Sequence, residues 1–127
     1  MKTYFFAFLL LTFSALIAAA EAPKASQIVG HWQFSSPEHG LADNTYASDG
    51  TFSGRVTKGG KVVWEYEGKW ILEGNTLVSN YTRSELKTLP PGYRDQDQIV
   101  SVNGDSMVIR TMNGVERKWQ RVKADSQ

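Results

Sequence analysis

The 127-residue sequence has no cysteine and only two histidines, His31 and His39, and each shortage removes a class of explanation. Without cysteine there is no disulfide and no lipidated N-terminal cysteine, so core packing has to hold the domain together. Two histidines and no thiolate fall short of the three or four ligands that a zinc site uses, so no metal is expected. His31 has the parity opposite to Trp32 and faces solvent, while His39 lies in the polar turn Ser35-Ser-Pro-Glu-His-Gly40. No serine sits in a Gly-x-Ser-x-Gly elbow. Gly59-Gly60 is not followed by a helix, so no phosphate-cradling loop is present. Glu65 and Glu67 share a wet strand face, and Asp95 and Asp97 read as a solvated strand entry. These absences describe a protein that is not an enzyme and carries no cofactor.

An excess of charge is missing as well: 14 Lys and Arg stand against 13 Asp and Glu. The start of the chain, Met1-Lys2-Thr3 followed by the apolar run Tyr4 to Ile17 and Ala18-Ala19-Ala20, reads as a secretory signal peptide over residues 1–20. Its apolar stretch is short beside the ~20 residues of a membrane span. Cleavage after Ala20 removes Lys2 and no acid, leaving a formally neutral mature chain. That excludes a sequence-independent nucleic-acid binder, which needs excess Lys and Arg to displace counterions, and a polybasic membrane-surface protein. An exported domain without disulfides fits a bacterial periplasm or the extracellular space. Residues 21–26 read as a flexible lead-in and residues 27–123 as one domain.

What is present is alternation. In Lys61-Val-Val-Trp-Glu-Tyr-Glu-Gly-Lys-Trp-Ile-Leu72, Val62, Trp64, Tyr66, Trp70 and Leu72 share one parity, and Glu65, Glu67 and Lys69 share the other. This period of two is that of a strand with one buried and one wet face. Asp49-Gly50, Gly59-Gly60, Gly74-Asn75, Asn103-Gly104 and Asn113-Gly114 are hairpin turns, because Gly and Asn accept the positive φ such turns need. Between them the sequence predicts strands at 27–35, 43–48, 51–57, 61–72, 75–82, 96–103, 106–112 and 115–122. About eight strands joined by short turns make an all-β, antiparallel, up-and-down meander, and closing it into a barrel removes its exposed edges. An open sandwich is the alternative. The best helix candidate is a turn at Ser84-Glu-Leu-Lys87. The long connection from Arg83 to Arg94 is broken by Pro90-Pro91-Gly92 and cannot be an interior strand. Leu86, Leu89 and Tyr93 give it apolar tips that either make contacts or plug one barrel end.

Gly30-His31-Trp32 opens the first strand and Trp119-Gln120-Arg121 lies near the end of the last. A Gly-x-Trp on the first strand, with a basic residue of the last strand packing across the indole, resembles the lipocalin-like, or calycin, superfamily. The segments Ser48 to Gly54, Gly68 to Leu77 and Asp97 to Met107 are similar to small bacterial lipocalin-like domains of mostly unknown function. The chain differs from typical lipocalins in being shorter and lacking their disulfides. The resemblance implies that Gly30, Trp32, Trp119 and Arg121 are structural, closing the barrel. Arg117 shares parity with Trp119 and Arg121 and either sits inside, pairs with an acid such as Asp97, or emerges at the rim.

Two functional readings follow. In the first, Phe34, Phe52, Trp64, Tyr66 and Trp70 line a pocket for a small apolar or aromatic ligand. In the second, a filled barrel presents loop residues Leu86, Leu89 and Tyr93 to a periplasmic protein partner, as an inhibitor, immunity or envelope accessory protein would. An interior cavity of roughly 300 Å³ or more would favour the ligand. A filled core would favour the interaction module, and the bulk of Trp64, Tyr66 and Trp70 makes a packed core the default.

Overall fold

The longest strand shows how the alternation is used. The structure, a computed structural model, describes residues 22–123; the signal peptide expected over residues 1–20 lies outside them. β4, Lys61–Glu73, carries Tyr66, Gly68 and Trp70 buried on one side and Glu67, Lys69 and Ile71 exposed on the other. The remaining strands are β1 Gly30–Ser36, β2 Gly40–Tyr46, β3 Thr51–Lys58, β5 Thr76–Ser84, β6 Arg94–Asn103, β7 Ser106–Arg110 and β8 Glu116–Arg121. Each pairs antiparallel with its sequence neighbours, and β1 closes on β8 through Trp32 opposite Arg121 and Gln33 opposite Gln120. The result is a closed, up-and-down, eight-stranded barrel.

Four local expectations are corrected. Residues 27–29 are not strand: α1, Ala25–Ile28, is a single helical turn that overlaps the expected polar lead-in. β2 begins at Gly40 and ends at Tyr46, because Asp49 Oδ1 accepts from the Thr51 backbone N–H (2.9 Å) and hydroxyl (2.6 Å) and pulls residues 47–50 into a turn. The turn expected at 84–87 falls later, because β5 continues to Ser84 and Leu89 N–H donates to Leu86 O at 3.2 Å. The long loop is clipped to β5 by Tyr81 N–H to Tyr93 O (2.9 Å) and Gly92 N–H to Tyr81 O (2.6 Å). Finally, Val62 is 47% exposed although it shares parity with Trp64. Val56 pairs with Trp64 and Thr57 with Val62, so Val63 is an extra residue in a β-bulge. A bulge puts two residues opposite one and re-aims a side chain.

An up-and-down barrel gathers alternate connections at the same end. The β1–β2, β3–β4, β5–β6 and β7–β8 connections therefore surround one end, the mouth, and α1 covers the other. At the covered end Ile28 and Trp32 are fully buried, and the Trp32 indole N–H donates to Ile28 O at 2.7 Å. The Arg121 guanidinium lies 4.3 Å from the Trp32 ring centroid and donates to Val29 O and Gln27 O, both at 2.7 Å. Gly30 has φ +135°, and a side chain there would run into the Arg121 guanidinium. One arginine thus ties the last strand to the first and to the helical turn beneath.

The barrel cavity as candidate functional site

Below the mouth the barrel holds a cavity of about 630 Å³. Its aromatic wall comes from β3, β4 and β5. Phe52, Tyr66 and Tyr81 are buried there, with Trp64 stacked at 6.2 Å on Tyr81 and 4.3 Å from the Tyr66 ring. These rings turn toward one another along the wall and leave the centre open. Two interior glycines permit this: a Cβ on Gly54 would overlap the Tyr66 ring, and one on Gly68 would lie 2.6 Å from Phe52 Cε1. A side chain at either place would push a ring into the barrel axis. On the far side Phe34 packs on Trp119 at 5.5 Å.

The charged side chains of the cavity come from β6 and β8, with Met107 and Ile109 of β7 lining it between them. Asp95 and Asp97 alternate with the exposed Gln96 and Gln98, pointing into the cavity from β6, and Arg117 points in from β8. The Arg117 guanidinium lies 5.4 Å from the Phe34 ring centroid, and it forms no ion pair within 4.0 Å with either acid. Among the described residues Asp95 accepts only the Gln96 backbone N–H, at 3.0 Å. Burial holds the Asp95 carboxyl above its ordinary range, against the opposing pull of that hydrogen bond and Arg117. For Asp97, burial and then the neighbouring Asp95 raise the pKa to about 7, with Arg117 again opposing. Burial likewise raises the pKa of Tyr46, Tyr66 and Tyr81, so all three are neutral phenols.

Other polar groups complete the lining. Asn44 donates from Nδ2 to the Tyr46 hydroxyl at 3.3 Å and accepts the Tyr66 hydroxyl at Oδ1. Ser79 is 6% and Tyr81 8% exposed, and neither hydroxyl has a hydrogen-bond partner among the described residues. No polar side-chain atom among the described residues is sealed in without a partner, so these hydroxyls face the cavity space. The mouth is apolar: Val63 (52% exposed), Met112 (58%) and Val115 (51%) ring it with Leu86 and Leu89. Two depressions on the outside of the barrel, about 260 and 410 Å³, are shallower and lined mainly by polar strand residues.

Besides the closure residues Gly30, Trp32 and Arg121, the residues singled out from sequence fall into four places. Phe34, Phe52, Trp64 and Tyr66 line the cavity, and so does Trp119. Trp70 belongs to the core beneath it: its ring meets Tyr46 edge-on at 5.6 Å, and its indole N–H donates to Ala47 O at 3.0 Å. Leu86, Leu89 and Tyr93 face the cavity mouth. His31 is on the outer surface, 2.7 Å from Asp43 Oδ1. Among the described residues no group of three or more His, Cys, Asp or Glu side chains could hold a metal ion. Asn44, Tyr46, Ser79, Tyr81, Asp95 and Asp97 were not singled out as ligand contacts, although each keeps the inward parity of its strand.

The same architecture recurs in a lipocalin-like protein from Bacteroides uniformis ATCC 8492, which superposes with a TM-score of 0.56 over 76% of this chain and 99% of that one, at 13% identity. The fold is lipocalin-like. No protein-family model matches the chain, and no curated protein is significantly similar to it.

Proposed function

We propose that this lipocalin-like protein is an exported, non-enzymatic binder that holds a small, largely apolar or aromatic ligand inside its barrel, in the periplasm or outside the cell. The observation that carries the reading is the cavity of about 630 Å³ behind an aromatic wall. Ligand pockets are commonly of about 300–1,000 Å³, mostly apolar, with a few placed polar groups. Export rests on the signal-peptide pattern of residues 1–20. Among the described residues no helix is long and apolar enough to cross a membrane. Loop-mediated protein binding is the weaker reading, because Leu86, Leu89 and Tyr93 face the cavity mouth.

The test is a titration with the neutral hydrophobic fluorophore N-phenylnaphthylamine, followed by its emission. Saturable binding with one site per chain is expected. Ala42 lies on the cavity wall between Phe34 on β1 and Val56 on β3. Ala42→Phe should fill part of the space and weaken binding by about tenfold or more, one such step being ~1.4 kcal/mol. A wild-type protein that gives no signal with this probe or with a broad set of hydrophobic compounds would remove the proposal. Equal affinity in the folded Ala42→Phe variant would place the probe elsewhere.

A further inference from the structure

From the unbalanced charge inside the barrel we infer that the ligand carries a protonated amine, held by Asp95 and Asp97 at the polar wall while its apolar body lies against the aromatic one. This deepens the binding function proposed above and rests on it. Two carboxylates enter the cavity against one guanidinium, and no ion pair within 4.0 Å joins them. Arg117 is instead engaged with the Phe34 ring. Buried charges are ordinarily paired, so with both carboxyls ionised the acidic wall lacks one positive partner.

The second observation is independent of the acids. Ser79 is paired with Asp95 across β5 and β6, is 6% exposed, and has a hydroxyl without a partner among the described residues. Tyr81, on the same strand, is in the same position. An ammonium has three donors and no acceptor. Two carboxylates and a serine oxygen are acceptors that can meet all three. The neighbouring phenol and indole faces suit a cation as well, through their ring quadrupoles.

Protonation follows from the same geometry. Asp97 is surrounded by Asp95 on its own strand, Arg117 on β8, Tyr46 on β2 and Tyr81 on β5. Its pKa of about 7 means that a cation finds a fully charged partner only above neutrality. Amine affinity should therefore rise with pH until the ligand itself deprotonates.

The experiment compares phenylbutylamine, phenylbutanol and phenylbutyrate by calorimetry on the processed protein at pH 6 and pH 8.5. They share a body and differ in the head group. At pH 8.5 the amine should bind at least about tenfold tighter than the alcohol, as charge-assisted hydrogen bonds do. That advantage should shrink by several-fold to tenfold at pH 6. Asp97→Asn should abolish both the advantage and its pH dependence. Asp95→Asn should reduce the advantage and serves if the first variant does not fold. Alcohol or carboxylate binding as tightly as the amine in the wild type overturns the amine assignment and leaves the binder standing. Tightest binding of the carboxylate would make Arg117 the head-group contact. Binding of none of the three, together with none of N-phenylnaphthylamine, removes both proposals.

Discussion

Asp97→Asn should gain about 2–3 kcal/mol more stability at pH 8 than at pH 5, a difference of the order of 10 °C or more in midpoint for a domain of this size. The folded carboxyl titrates at about 7, against 3.8 for the ordinary side chain. Between those values the folded state holds a proton that the unfolded state has released. Stability therefore falls as pH rises through that window, and the whole penalty is present above the folded pKa. Asparagine removes the charge and keeps the shape. Urea denaturation of both proteins at the two pH values reads the effect directly, and an equal stability change at pH 5 and pH 8 would contradict a carboxyl raised by burial and by Asp95. The same residue that costs stability is the one assigned to the ligand, a trade commonly found at functional sites.

Trp32→Ala should lose about 3–5 kcal/mol, the range for truncating a fully buried tryptophan. Here the deletion also removes the donor to Ile28 O and the face under Arg121. Arg121 additionally binds the carbonyls of Val29 and Gln27. A double-mutant cycle with Arg121→Ala should show a coupling of about 0.5–2 kcal/mol. Strictly additive losses, measured by denaturant unfolding, would mean that the stacked pair does not act as one closure.

The fold was legible because it depends on repeated local signals. The alternation over 61–72, the Asn-Gly and Asp-Gly turns and the single long connection determine an antiparallel meander, and closure follows from the need to cover its edges. Where one hydrogen bond or one extra residue decides, those signals are silent. Asp49 capping Thr51 shifts β2, and the bulge at Val63 turns Val62 outward. Neither leaves a periodic trace.

The site was legible only in part, for a reason of volume. Counting bulky aromatics suggests a filled barrel, because a sequence does not say whether rings meet across the axis or lie along the wall. Gly54 and Gly68 decide that question, since each gives a ring from the neighbouring strand a place against the backbone. The charged wall was hidden by the opposite habit. Asp95 and Asp97 look solvated because acids usually are, yet they keep the parity of Ile99, which is 5% exposed in the core. Parity on β6 was the available signal, and the expectation that acids face water overrode it.

The central claim, a ligand held inside the barrel, is tested most directly by the indole N–H resonances of the four tryptophans during titration with N-phenylnaphthylamine. Trp64 and Trp119 line the cavity, whereas Trp32 and Trp70 donate to Ile28 O and Ala47 O outside it. The account predicts saturable shifts for Trp64 and Trp119, with Trp32 and Trp70 nearly unmoved. Four unmoved resonances at saturating probe, or shifts confined to Trp32 and Trp70, would contradict it.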